Sequence, residues 1–280
     1  MSDASPPSPR GGYPLIVMGM HRSGTSLVAR VLAGAGAHMG ADCNDHAESD
    51  FFRELNKQLF RAGHADWDWP RAMEPALEDD ALCDALVLWL QERCASKEVR
   101  AFLGRRFGSA DLGRRQEPWG WKDPRNTCTL PLWLRVFPAA RVVNVYRDGV
   151  DVAASLVARE RARRGRIHNE VRSSRCLDPQ RAFELWAEYL EMSLRVTADL
   201  PPSQVRDVRY ESLLERPEEH IRQLLWFSGL EPGEDALQAL VAEVRPERGR
   251  AFRRDAEWAA FHRERSAHSL MQRLEYGDPP

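Results

Sequence analysis

Lysine is nearly missing from this chain. Among 40 basic residues only Lys57, Lys97 and Lys122 are lysines, so a single arginine says little here and a single lysine says more. Cysteine is sparse: Cys43, Cys83, Cys94, Cys128 and Cys176 form no C-x-x-C, which argues against a zinc site and a disulfide framework and for a reducing compartment. Charge of one sign is also lacking. The net charge of −2 argues against bulk nucleic-acid binding. No apolar run approaches the roughly 20 residues that span a bilayer. The opening MSDASPPSPRGGYP has no apolar stretch of the secretory type, so residues 1–13 are expected to form a flexible tail and the protein to be cytoplasmic. Repeats, long low-complexity tracts and metal-ligand spacings are absent as well, and no metal is expected.

What is present centres on PLIVMGMHRSGTSLVARVL, residues 14–32. Leu15 to Met18 reads as a short buried strand, Gly19 to Ser26 as a polar turn, and Leu27, Val28, Val31 and Leu32 as one face of a helix. Strand, glycine turn and helix in that order make a helix N-terminus into an anion site. Gly19 and Gly24 let backbone N–H groups approach a phosphate, Arg22 adds a cation, and Thr25 and Ser26 add hydroxyls. The spacing Gly19-x-x-x-x-Gly24 resembles a P-loop, but Thr25 stands where a P-loop has lysine. That absence argues against Mg-NTP hydrolysis, where the lysine reaches the β and γ phosphates. A plain strand-to-helix turn with polar surface residues is the simpler alternative.

Further along, Glu48 precedes the helical pattern Phe51, Phe52, Leu55, Leu59, Phe60. A carboxylate on a loop beside an anion site suits a general base, with Asp45 and His46 as rivals and a first-turn helix acid as the bland reading. HADWDWPRAMEP (64–75) is turn-rich, and Trp67 and Trp69 suit either stacking on a ring or packing. A helix is expected over 76–93, a shorter one over 98–106, and a linker at GSADLGRRQEP. WGWKDPRNT (119–127) reads as a short strand stopped by Asp123-Pro124, with Lys122 and Arg125 at its carboxyl end. RVVNVY (141–146) is the next strand. Arg147 leaves its end, Asp148 and Asp151 suggest a capping box, and Ser155 lies two turns into the helix. The segment 159–175 carries seven Arg against two Glu and suggests a mobile basic lid or a solvated helix face. Asp178-Pro179 starts a helix to about residue 199. A strand follows at Val205 to Tyr210, a helix over 216–230, a last helix over 236–244 and a basic loop over 245–255.

Taken in order, GMHRSGTS, WKDPR, the strand with Arg147 and Ser155, and RYESLLERPEE resemble the bacterial sulfotransferase family over about residues 14–255. The resemblance implies an α/β fold: a three-layer, P-loop-NTPase-like parallel sheet flanked by helices. A single domain over 14–265 is expected, with a C-terminal tail over 266–280. It also implies transfer of a sulfuryl group from 3′-phosphoadenosine 5′-phosphosulfate (PAPS) to a hydroxyl or amine of a carbohydrate or small molecule. Carried over residue by residue, Arg22, Ser23, Gly24, Thr25 and Ser26 match the 5′-phosphosulfate loop. Many relatives carry lysine where Arg22 stands. Arg147 and Ser155 resemble the 3′-phosphate pair and Tyr210 the adenine contact. Arg248 to Arg250 match a late loop that closes over the 3′-phosphate. Glu48 resembles the family base and Lys122 the lysine on the reacting sulfate, so Glu48, Lys122 and Arg22 are the catalytic candidates. Loops 34–50, 64–75 and 159–175 are expected to shape the acceptor pocket. Two rivals stand beside this reading: a P-loop kinase using Mg-ATP, and a non-catalytic nucleotide-binding module.

Overall fold

Alternate residues of the first strand, β1 (Pro14–Met18), feed two different cores. Ile16 and Met18 pack into one apolar cluster and Leu15 and Val17 into the other. That is the signature of a sheet covered on both faces. The computed structural model describes residues 12–105, 112, 115, 117–164 and 171–277. Most of the N-terminal tail, most of the expected linker and residues 165–170 of the basic segment lie outside them. After β1 come α1 (Thr25–Gly34), α2 (Asp50–Ala62), α3 (Glu74–Glu78), α4 (Asp80–Ala95) and α5 (Arg100–Leu103). Then follow β2 (Trp119–Lys122), α6 (Asn126–Val136), β3 (Arg141–Tyr146), α7 (Gly149–Arg164) and α8 (Pro179–Val196). The chain continues with β4 (Val205–Arg209), α9 (Tyr210–Glu215), α10 (Pro217–Ser228), α11 (Glu234–Ala242), α12 (Ala256–Arg265) and α13 (Ser269–Arg273).

The strands form one parallel sheet in the order β2-β1-β3-β4. The chain leaves β1 to one side for β2 and returns to the other for β3. The crevice outside the carboxyl ends of β1 and β3 is therefore the switch point where ligands of open α/β sheets sit. Helices α1, α10 and α11 cover one face, with Val28, Val31, Leu32, Leu224 and Leu237 buried. On the other face an aromatic stack joins α2, β2 and α6: Phe52 lies 4.1 Å from Trp121 with the rings 5° from parallel, and Trp133 meets Trp121 edge-on. Two indole N–H groups of this stack are satisfied by buried amides. Trp121 donates to Asn126 Oδ1 at 3.0 Å, Trp133 to Asn56 Oδ1 at 2.9 Å, and Asn56 Nδ2 to Asn126 Oδ1 at 2.8 Å. Asn126 Nδ2 donates to the carbonyl of Val17 at 3.0 Å, which ties the network to β1.

Three expectations change. The helix expected over 76–93 is two helices, because Asp79 turns extended and caps α4, accepting from the Leu82 amide at 3.0 Å. The helix at 236–244 is not the last, since α12 and α13 follow. Leu270, Met271 and Tyr276 are buried, so residues assigned to a tail pack on the core. The first part of the basic segment is helix, because α7 runs on to Arg164.

Candidate active site

The loop after β1 is shaped by backbone constraint. Gly19 has φ +130°, and a Cβ there would stand 2.0 Å from the Val145 carbonyl oxygen. Gly24, at the N-terminus of α1, has φ +97°, and a Cβ there would fall 2.2 Å from the ring of Tyr210. The N-cap of α1 is Gly24 itself, so among the described residues no N-cap side chain meets the first-turn amides. Ser23 Oγ is buried without a hydrogen-bond partner among the described residues. An uncapped helix end and an unpartnered buried hydroxyl fit an anion. The Gly19 amide donates to Thr127 Oγ1 at 3.1 Å, and Ser26 Oγ donates to the His46 carbonyl at 2.8 Å.

The loops from β1 and β3 meet directly. Arg22 Nε donates to Ser155 Oγ at 2.8 Å, and Arg147 Nη1 donates to the Arg22 carbonyl at 3.3 Å. Arg147 also holds Asp151 Oδ2 at 2.9 Å and the Arg248 carbonyl at 2.7 Å, and it lies over the Tyr210 ring at 4.7 Å. Asp148 caps α7, accepting from the amides of Val150 and Asp151 at 2.8 and 3.3 Å. The expected capping box does not close, because Asp151 turns instead to Arg147 and to the Phe252 amide, 2.9 Å away. Beside this junction lies a cavity of roughly 710 Å³ lined by Leu27, Arg30, Tyr210, Val244, Arg245 and Arg248. Arg250 is turned elsewhere, with its guanidinium 3.2 Å from Glu215 Oε1.

At the end of β2, Lys122 Nζ donates to Glu48 Oε1 at 2.8 Å, and the lysine side chain is only 2% exposed. Asn44 Oδ1 shapes the Glu48 loop by accepting from the amides of His46 and Glu48 at 2.8 and 3.2 Å. Burial pushes the Glu48 carboxyl up, but the Lys122 charge and hydrogen bond, with Arg125, outweigh it and hold the group below its usual range. Asp45 and His46, the rival bases, are exposed. Arg125 is bound by both oxygens of Asp123, at 3.1 and 3.2 Å.

Two residues that the sequence did not single out also stand here. His21 packs edge-on against Trp67 at 5.1 Å and Tyr189 at 6.3 Å. Burial, then the charges of Arg125, Arg159, Lys122 and Arg22, hold its imidazole well below the usual histidine range. It is therefore uncharged at neutral pH. Arg159 lies over the Trp67 ring at 4.7 Å. The only advance signal for His21 was its place inside the glycine turn, and for Arg159 its position four residues after Ser155. Among the described residues no group of three His, Cys, Asp or Glu is placed to hold a metal ion, and no helix is long and apolar enough to cross a membrane.

Residues 14–235 match a family described as the sulfotransferase family. An uncharacterized protein of Aquifex aeolicus (strain VF5) is 28% identical over 242 residues, covering 83% of this chain. The match covers 27% of that protein, so the chain spans about a quarter of the relative's length. Among solved structures, the sulfotransferase domain of the Synechococcus PCC 7002 olefin synthase is 18% identical with a TM-score of 0.48, over 88% of this chain and 86% of that one. A sulfotransferase of Alicyclobacillus acidocaldarius is 17% identical with a TM-score of 0.45, over 88% and 98%. Sulfotransferase STF1 of Mycobacterium tuberculosis H37Rv is 16% identical with a TM-score of 0.47, over 81% and 70%.

Proposed function

The chain belongs to the sulfotransferase family, and from that premise we propose that it transfers the sulfuryl group of PAPS to a hydroxyl or amine of a carbohydrate or small-molecule acceptor. The observation that carries the proposal is the junction of the two strand-end loops, Arg22 Nε to Ser155 Oγ at 2.8 Å and Arg147 to the Arg22 carbonyl at 3.3 Å. Two anion-binding groups on adjacent strands suit a nucleotide with a phosphate at each end of its ribose. The uncapped α1 N-terminus with Ser23, Thr25 and Ser26 takes the 5′ end. Arg147 and Ser155 take the 3′-phosphate. Tyr210 and the cavity beside it take the adenine, and Arg248 borders the same cavity.

PAPS supplies a sulfuryl group whose departure leaves negative charge on the bridging oxygen of the 5′-phosphate. Arg22, Lys122 and the amides of the glycine turn answer that charge with fixed dipoles and cations, which is the largest contribution expected in such a site. Glu48 takes the acceptor's proton. Held low by Lys122, Glu48 is charged at neutral pH but a weak base. A Lys122 that turns to the donor sulfate releases Glu48, and the carboxylate becomes more basic when it is needed. The product left in the site is 3′-phosphoadenosine 5′-phosphate.

Titration of 3′-phosphoadenosine 5′-phosphate against AMP tests the donor assignment. Arg147→Ala should weaken the doubly phosphorylated ligand about tenfold or more and AMP much less. Equal loss for both ligands removes Arg147 from the 3′-phosphate. Transfer of label from PAPS to any member of an acceptor panel separates this enzyme from a non-catalytic nucleotide binder, and stabilisation by Mg-ATP alone would favour a kinase.

A further inference from the structure

We propose that the acceptor carries an oxyanion, a carboxylate, sulfate or phosphate on a hydroxyl-bearing ring, and that Arg159 binds this group while Trp67 stacks on the ring. Ser155 and Arg159 are one helical turn apart on α7 and so project from the same face. Ser155 is taken by Arg22, while Arg159 stands a turn further from β3, over Trp67. Its Nε donates to Glu160 Oε1 at 3.0 Å, but that carboxylate also accepts from Arg163 Nη1 at 3.1 Å and from the Arg172 amide at 3.0 Å. One buried carboxylate thus serves two guanidinium groups.

Arg159 Nη2 is buried and has no hydrogen-bond partner among the described residues. A buried charged donor without an acceptor is costly, and a planar guanidinium edge is suited to an oxyanion. His21 Nε2, on the ring that borders Trp67, is also buried and unpartnered among the described residues. His21 lies within reach of the charges of Lys122, Arg125 and Arg159, so this face adjoins the Glu48–Lys122 pair. Trp69 is 59% exposed, and Arg175 lies over its ring at 5.5 Å. Arg175 is held by both oxygens of Glu188, at 3.2 and 2.8 Å, and by the Asp68 carbonyl at 2.8 Å, so Trp69 offers a second ring face for stacking while Arg159 carries the spare donor.

Assigning this face to the acceptor rests on the sulfotransferase reading, so donor binding is measured first, as the titration of 3′-phosphoadenosine 5′-phosphate. The nucleotide-bound protein is then titrated calorimetrically with matched probes: 4-nitrophenyl β-D-glucuronide against the β-D-glucoside, and glucose 6-phosphate against glucose. The anionic member of at least one pair should bind about tenfold tighter, and added salt should shrink that margin. Arg159→Gln should abolish the margin while leaving the nucleotide affinity within about twofold, and Arg159→Lys should keep part of it. The glucuronide and phosphate arms separate a carboxylate from a phosphate. Equal affinity within both pairs, or no binding of any probe, overturns the proposal. So does a margin that survives Arg159→Gln, or an equal loss of nucleotide and probe in that variant. If Arg159→Gln fails to fold, the salt dependence and Arg159→Lys decide. A protein that ignores the nucleotide but still prefers anionic probes would sink the donor reading alone.

Discussion

Glu48 and Lys122 are 74 positions apart in sequence and 2.8 Å apart in space. The pair is a buried charge contact, and the proposed mechanism gives its two halves separate tasks. Removing one half leaves the other stranded, which costs roughly 3 kcal/mol when the site is fully buried and less here, where the Glu48 side chain is 12% exposed. Glu48→Gln should lower turnover about 100- to 10,000-fold while 3′-phosphoadenosine 5′-phosphate still binds. Wild-type turnover in that variant would refute the base. Because the folded Glu48 value is lowered, the stability from the pair is full above the ordinary carboxylate range and is lost as pH falls through the lowered value. Wild type should therefore lose more stability in acid than Glu48→Gln, measurable as melting temperature against pH. The sequence set Glu48 apart only through its family resemblance, since spacing left Asp45 and His46 open. His21 and Arg159 were not legible. What marks them is Trp67, which reaches them from a separate loop, and no local pattern encodes that contact.

At the scale of elements, the strand-turn-helix units were the most readable part of the chain. GMHRSGTS is contiguous, so its glycines, cation and hydroxyls announce their purpose without tertiary help. Gly24 carries the constraint twice over, in a left-handed conformation and in the space taken by Tyr210. Gly24→Ala should cost about 1–3 kcal/mol in strain alone and weaken 3′-phosphoadenosine 5′-phosphate by pushing Tyr210 off the junction. Unchanged affinity with an unchanged melting temperature would show that the ring moves freely. The element boundaries that went astray share a cause. Asp79 ends one helix by capping the next, and Asp151 leaves its cap for Arg147. Short polar side chains choose among several nearby partners: Asp79 takes the local Leu82 amide, while Asp151 is drawn off by Arg147 and the distant Phe252 amide.

Across the whole molecule, the C-terminal residues are bound to the loop that leaves β3. Tyr276 donates its hydroxyl to Glu211 Oε2 at 2.6 Å, and Glu211 Oε1 accepts from the Asp148 amide at 3.1 Å, next to Arg147. His262 Nε2 lies 3.0 Å from Asp148 Oδ2. Truncation after Arg265 removes three buried side chains, Leu270, Met271 and Tyr276, each worth about 1.5–3 kcal/mol of burial. It should lower the melting temperature sharply. Tyr276→Phe, which keeps the ring, should cost only about 1–2 kcal/mol. Loss of nucleotide affinity in Tyr276→Phe beyond its loss of stability would mark this chain of bonds as a support for Arg147. Charged, turn-rich composition hid this segment, because a few apolar residues in a short helix give no periodic signal.

The order of the sheet has one more consequence. β1 and β3 are hydrogen-bonded neighbours, so the two loops leave the sheet one strand spacing apart, about 4.8 Å. The separation at which the two loops start is thus a ruler cut into the backbone, and in the sulfotransferase reading proposed above it frames the distance between the two phosphate-binding groups.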